Sequence, residues 1–83
     1  NTTGNSNLDS IRTNLLCQEA ILFSKNVLQK NGVFVSKVFM GSEFLELKKL
    51  AKEIFVKVIF FKPKSSRNES KETFMYCDTL KAL

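Results

Sequence analysis

Two stretches of the chain carry side chains able to do chemistry. The first is Lys37, set inside the apolar run Val33-Phe34-Val35-Ser36-Lys37-Val38-Phe39. An ammonium among residues that a sheet buries needs a partner or a task, because desolvating an unpaired charge is costly. The second is Lys62-Pro63-Lys64-Ser65-Ser66-Arg67-Asn68-Glu69-Ser70-Lys71-Glu72. Its cations and hydroxyls are donors suited to phosphate, and Glu72 is a carboxylate able to pair with Lys37. A Lys–Glu pair can position and deprotonate a hydroxyl nucleophile. Desolvation favours a neutral amine and a nearby carboxylate favours the ammonium, so sequence leaves that balance open. The plainer alternatives are a lysine that snorkels or forms a local salt bridge at a strand end, and a loop that is only solvated.

The surrounding elements must bring these groups together. Residues 1–8 read as a loop, and Asp9 or Ser10 can cap a helix. Leu16, Ala20, Phe23 and Val27, flanked by Cys17, Ile21 and Leu28, form a wide apolar helical stripe. Asn31-Gly32 ends it, Gly32 being read as the left-handed residue that follows a helix. Residues 33–39 are β-branched and aromatic and read as a strand buried on both faces. Ser42 is the expected N-cap of a second helix with Leu47, Leu50, Ala51 and Ile54 on its apolar face. Val56 to Phe61 reads as a second strand, stopped by Pro63, and Glu72 to Cys77 as a third, followed by a tail.

Strand–helix–strand implies a parallel pair with a right-handed crossover. The third strand follows too closely for another crossover, so it is expected to run antiparallel, at an edge. The fold class is α/β, one half of a three-layer sheet, with an open strand edge that asks for something to cover it. Lys37 and the start of the third strand then meet at the carboxyl ends of the strands, where α/β sheets place their ligands. Phe60 and Phe61 are either core or a stacking platform for bases.

Composition narrows the chemistry. The 83 residues suit one small domain or part of a larger one, and the net charge of +5 favours an anionic partner. The absence of histidine removes His-based triads and most zinc sites. Cys17 and Cys77 are read as buried free thiols. No run suits a membrane span or a signal peptide, so a cytoplasmic location is expected. Gly4, Gly32 and Gly41 are isolated, and no glycine-rich nucleotide loop follows a strand.

Gly32, Phe34-Val35, Lys37-Val38-Phe39 and Gly41, followed by Lys62-Pro63, Ser65-Ser66-Arg67, Ser70 and Glu72, together resemble the C-terminal half of the FtsJ-type ribosomal RNA 2′-O-ribose methyltransferases. The opening Asn1-Thr2-Thr3-Gly4 resembles the segment just after that family's Asp-Met-Ala-Pro strand end. The resemblance covers residues 1–77. It implies a Rossmann-like sheet, S-adenosylmethionine as methyl donor and large-subunit ribosomal RNA as substrate. It further implies that Lys37 is the proton acceptor and Glu72 the glutamate of a Lys-Asp-Lys-Glu catalytic set. Lys62, Lys64, Ser65, Ser66, Arg67 and Ser70 then face RNA. The first lysine, the aspartate and the cofactor loop have no counterpart here. Residues 1–83 are therefore expected to be a partial methyltransferase domain, inactive alone, with a complementary N-terminal chain as a partner. The alternatives are a non-catalytic RNA-binding module and a structural half-domain.

Overall fold

The computed structural model describes residues 6–63 and 71–81. The elements run α1 (Ser6–Val27), β1 (Val33–Phe39), α2 (Phe44–Ile54), β2 (Phe55–Phe61) and β3 (Glu72–Leu80). The expected order of helices and strands is present, with three differences in connection and extent.

The first concerns the sheet. Its order is β1-β3-β2, with β3 antiparallel to both neighbours. β1 and β2 do run in the same direction, but they do not pair. The antiparallel strand expected at an edge lies in the centre, because β2 and β3 form a hairpin that folds back into the slot beside β1. The second concerns length. β3 continues past Cys77 to Leu80, where a tail was expected, and Asp78 and Leu80 pair with Lys57 and Phe55. The third concerns helix ends. α1 already runs from Ser6, and α2 is capped at Glu43 rather than Ser42, whose hydroxyl donates to the Glu43 carboxylate instead.

Both helices share one face of the sheet: α1 packs on β1, α2 on β2, and the helices on each other. Beneath them lie Cys17, Ile21, Val38, Leu47, Ala51, Ile54, Phe55, Met75 and Cys77. Side chains the size of Ile21, Met75 and Phe55 each contribute about 1.5–3 kcal/mol when buried. The other face is open among the described residues. β1 therefore alternates, with Val33, Val35 and Lys37 outward, rather than being buried on both sides.

The same one-sided packing overturns the expected stripe on α1. The covered line is Asn14, Cys17, Ile21 and Ser24, while Leu16, Phe23 and Val27 are 68%, 65% and 57% exposed. α1 carries two apolar flanks and only one meets the sheet. The buried hydroxyl of Ser24 is satisfied by donating to the Ile21 carbonyl, 2.7 Å away. Gly32 does not take the left-handed conformation. It is small because a Cβ there would come within 3.0 Å of the Gln29 carbonyl and of Leu28. Among the described non-glycine residues, positive φ falls at Thr79, at 65°, near the end of β3.

Candidate functional site

Lys37 and Glu72 meet at the carboxyl end of β1. In the β1–β3 register Lys37 lies opposite Phe74, and Glu72 lies opposite Phe39. The two charged side chains are thus diagonal neighbours on the open face, a spacing that long side chains bridge. Nζ of Lys37 stands 3.7 Å from Oε2 of Glu72, with the side chains 50% and 45% exposed. Water screens such a pair, so it adds little stability. What it supplies is orientation.

Lys62 joins the same corner from just past the end of β2. Its Nζ donates to the main-chain carbonyl of Glu72, 2.8 Å away. Thr73 fastens the hairpin beside it by donating from Oγ1 to the Phe61 carbonyl at 2.8 Å. Two lysines and one carboxylate, from β1, β3 and the residue after β2, therefore converge where Lys37 and Glu72 were expected to meet. Lys64, Ser65, Ser66, Arg67 and Ser70 lie outside the described residues.

The aromatic pair separates. Phe60 packs inward on Phe44, ring centroids 4.7 Å apart, and belongs to the core. Phe61 is on the open face, stacked on Phe74 at 5.7 Å. That flat surface is a neighbour of the Lys37 corner, since Phe74 is the direct partner of Lys37.

Further polar contacts near the site escaped the sequence reading. Asn14 is buried in the α1 interface and hydrogen-bonded to Phe39 and Glu43. The available signal was a carboxamide three residues before Cys17 on the flank that turned out to be covered. Hydrogen bonds from Ser42 and then Asn14 hold the Glu43 carboxyl below its usual range. Farther along the open face, Tyr76 donates to Asp78 at 2.9 Å and lies under the Lys57 ammonium. Accepting that bond, Asp78 pushes the Tyr76 phenol up, helped by burial and by its charge.

Among the described residues no cluster of His, Cys, Asp and Glu could hold a metal, and no helix is long and apolar enough to cross a membrane. A hollow beside β1's carboxyl end is lined by Ser10, Ile11, Phe39, Gly41, Ser42, Glu43 and Lys71. Among the described residues no glycine-rich turn approaches it, and these residues alone do not fit a nucleoside cofactor.

Residues 1–80 match the family described as FtsJ-like methyltransferase. The ribosomal RNA large subunit methyltransferase E of Pelagibacter ubique (strain HTCC1062) is 53% identical over 81 residues, covering 98% of this chain and 40% of that protein. The protein of the same description from Brachyspira hyodysenteriae is 42% identical over 83 residues, all of this chain and 43% of that one. A crystal structure described as a ribosomal RNA methyltransferase from Plasmodium falciparum superposes with a TM-score of 0.76 at 25% identity, over 96% of this chain and 41% of that one. The chain thus spans about 40% of the length of these relatives.

Proposed function

The chain belongs to the FtsJ-like methyltransferase family, and from that premise we propose that it forms the proton-accepting part of an enzyme that methylates ribose 2′-hydroxyls of large-subunit ribosomal RNA. The methyl donor is S-adenosylmethionine, held by residues other than those described. The observation that carries the reading is the Lys37–Glu72 pair, 3.7 Å apart at the carboxyl end of β1.

Lys37 takes the proton from the 2′-oxygen, and Glu72 aims its amine. Placing the base against the hydroxyl supplies much of the rate, and proton removal supplies a further factor. Lys62, Lys64 and Arg67, with the hydroxyls of Ser65, Ser66 and Ser70, hold phosphates of the substrate. Phe61 and Phe74 offer a flat apolar surface for a base beside them. The enzyme works where its substrate is, in the cytoplasm.

A second feature bears on whether the chain acts alone. β1 pairs only with β3 among the described residues, so its other edge is open, and the Leu16–Phe23–Val27 flank of α1 stands bare. Both call for a complementary segment, which also carries the cofactor site. The isolated chain is then inactive.

The test is Lys37→Met in the whole enzyme. Single-turnover methyl transfer should fall by at least about a hundredfold, the scale of a lost general base. The unfolding midpoint should hardly move, since the half-exposed pair is worth under about 1 kcal/mol. Unchanged turnover with lowered stability would make Lys37 a structural partner of Glu72.

A further inference from the structure

We propose that Asn14 is a positioning residue for Lys37, acting through the main chain of Phe39. This rests on the reading of Lys37 and Glu72 as the catalytic pair.

Asn14 is 3% exposed. Its Oδ1 accepts from the Phe39 N–H at 2.9 Å, and its Nδ2 donates to the Phe39 carbonyl at 3.3 Å. Nδ2 also donates to Oε1 of Glu43 at 3.3 Å.

The strand register explains why Phe39 needs this. The N–H of Met40 donates to the Lys71 carbonyl at 2.8 Å, and Phe39 lies opposite Glu72. In an antiparallel ladder that makes Phe39 and Glu72 a non-hydrogen-bonded pair. The polar groups of Phe39 therefore turn away from β3, towards the open edge of β1. There the amide of Asn14 takes both of them, as a neighbouring strand would, sharing the carbonyl with the Gly41 N–H at 2.9 Å.

Phe39 is two residues beyond Lys37 and directly across from Glu72. One buried side chain thus fixes the strand end on which both members of the pair depend. Without it, the Phe39 N–H loses its partner and the carbonyl keeps only the Gly41 N–H, so the end of β1 is freer to fray. A base displaced by a fraction of an ångström loses rate without losing substrate affinity. The same contact also closes the open edge at its carboxyl end. A strand added to β1 can use the main chain of Val33, Val35 and Lys37, but Phe39 is already taken.

The experiment uses the whole enzyme and three variants. Asn14→Leu keeps the number and branching of heavy atoms and removes all three hydrogen bonds. The double variant Asn14→Asp, Glu43→Gln exchanges carboxylate and amide, restoring an acceptor for the Phe39 N–H and a donor between the two positions, with the Phe39 carbonyl left to the Gly41 N–H. Lys37→Met reports on the pair itself. Asn14→Leu should lower kcat at saturating RNA and donor at least about tenfold, with both KM values unchanged. The double variant should recover the part of that loss that comes from the Phe39 N–H. Amide exchange in Asn14→Leu should accelerate at Phe39 and stay slow at Val38, which bonds within the β1–β3 ladder. Full transfer by Asn14→Leu beside an inactive Lys37→Met overturns this inference alone. So does a loss that follows only the unfolded fraction. Full transfer by Lys37→Met instead overturns the reading on which the inference stands.

Discussion

Lys62 reaches across from the end of β2 to donate a hydrogen bond to the main-chain carbonyl of Glu72, 2.8 Å from its Nζ. The residue expected to meet RNA is thus already engaged in holding the strand that carries the glutamate. A lysine so tied still presents charge, but it spends a donor and its freedom on Glu72. Its share of the RNA contact should be smaller than that of Lys64 or Arg67. Measured as log K against log salt on structured RNA, Lys64→Ala and Arg67→Ala should each reduce the slope by about 0.7–0.9. Lys62→Ala should reduce it by clearly less, and should lower stability by about 1 kcal/mol, the usual net worth of one hydrogen bond. Equal slopes for all three would show that Lys62 leaves Glu72 when RNA binds.

The pairing of Lys37 with Glu72 was legible because two features agree. The β-branched and aromatic run 33–39 put Lys37 near a strand end, and a connection too short for a crossover before Glu72 implied an antiparallel return. The position of β3 was not legible, because an antiparallel strand can lie at an edge or between two others without any change in its own residues. The covered flank of α1 was misread for a related reason. Leu16, Phe23 and Val27 outweigh Asn14 and Ser24 in hydropathy, yet the sheet covers the polar-bearing line, since those polar groups find partners there. Periodicity finds apolar stripes but does not say which of two has a neighbour.

The cofactor gives a sharp expectation. The described residues offer an open hollow near Gly41 and Glu43 but no glycine-rich approach. Calorimetric titration of the isolated chain with S-adenosylmethionine should show no saturable heat at millimolar ligand. A micromolar dissociation constant, about −8 kcal/mol, would mean that the chain holds a complete donor site.

The two thiols test the packing of the sheet. Burial, then the neighbouring Cys17 and Asp78, push the Cys77 thiol up to about 12. Burial also raises Cys17, against a hydrogen bond with Ser36. A thiol raised on folding favours the folded state below its ordinary midpoint, and that contribution is lost as pH rises through about 12. Since the thiolate is the nucleophile, a thiol reagent at about pH 8.5 should label neither cysteine in the native chain. Both should react at once on unfolding. Rapid native labelling of Cys77 would show that the β1–β3–β2 sheet opens readily.

The bare flank of α1 yields the last expectation. Leu16 lies beside Thr13, Ser36 and Lys37, so the apolar flank runs up to the open edge of β1. Phe23 and Val27 continue it along the helix. An unpaired strand edge beside exposed apolar side chains is a surface made to be covered. The chain on its own should therefore associate in a concentration-dependent way, measured by sedimentation. Leu16→Gln with Phe23→Gln should shift it towards monomer. Because both side chains are mostly exposed in this chain, the isolated variant should keep its stability within about 0.5 kcal/mol at each site. In the whole enzyme the outcome should differ. If a complementary segment covers the flank, the same pair of changes removes apolar burial worth about 1.5–3 kcal/mol per side chain. The contrast between the two contexts is the decisive quantity. An equal, negligible cost in both would mean that this flank faces water in the enzyme too, and that completion of the sheet runs through the β1 main chain alone.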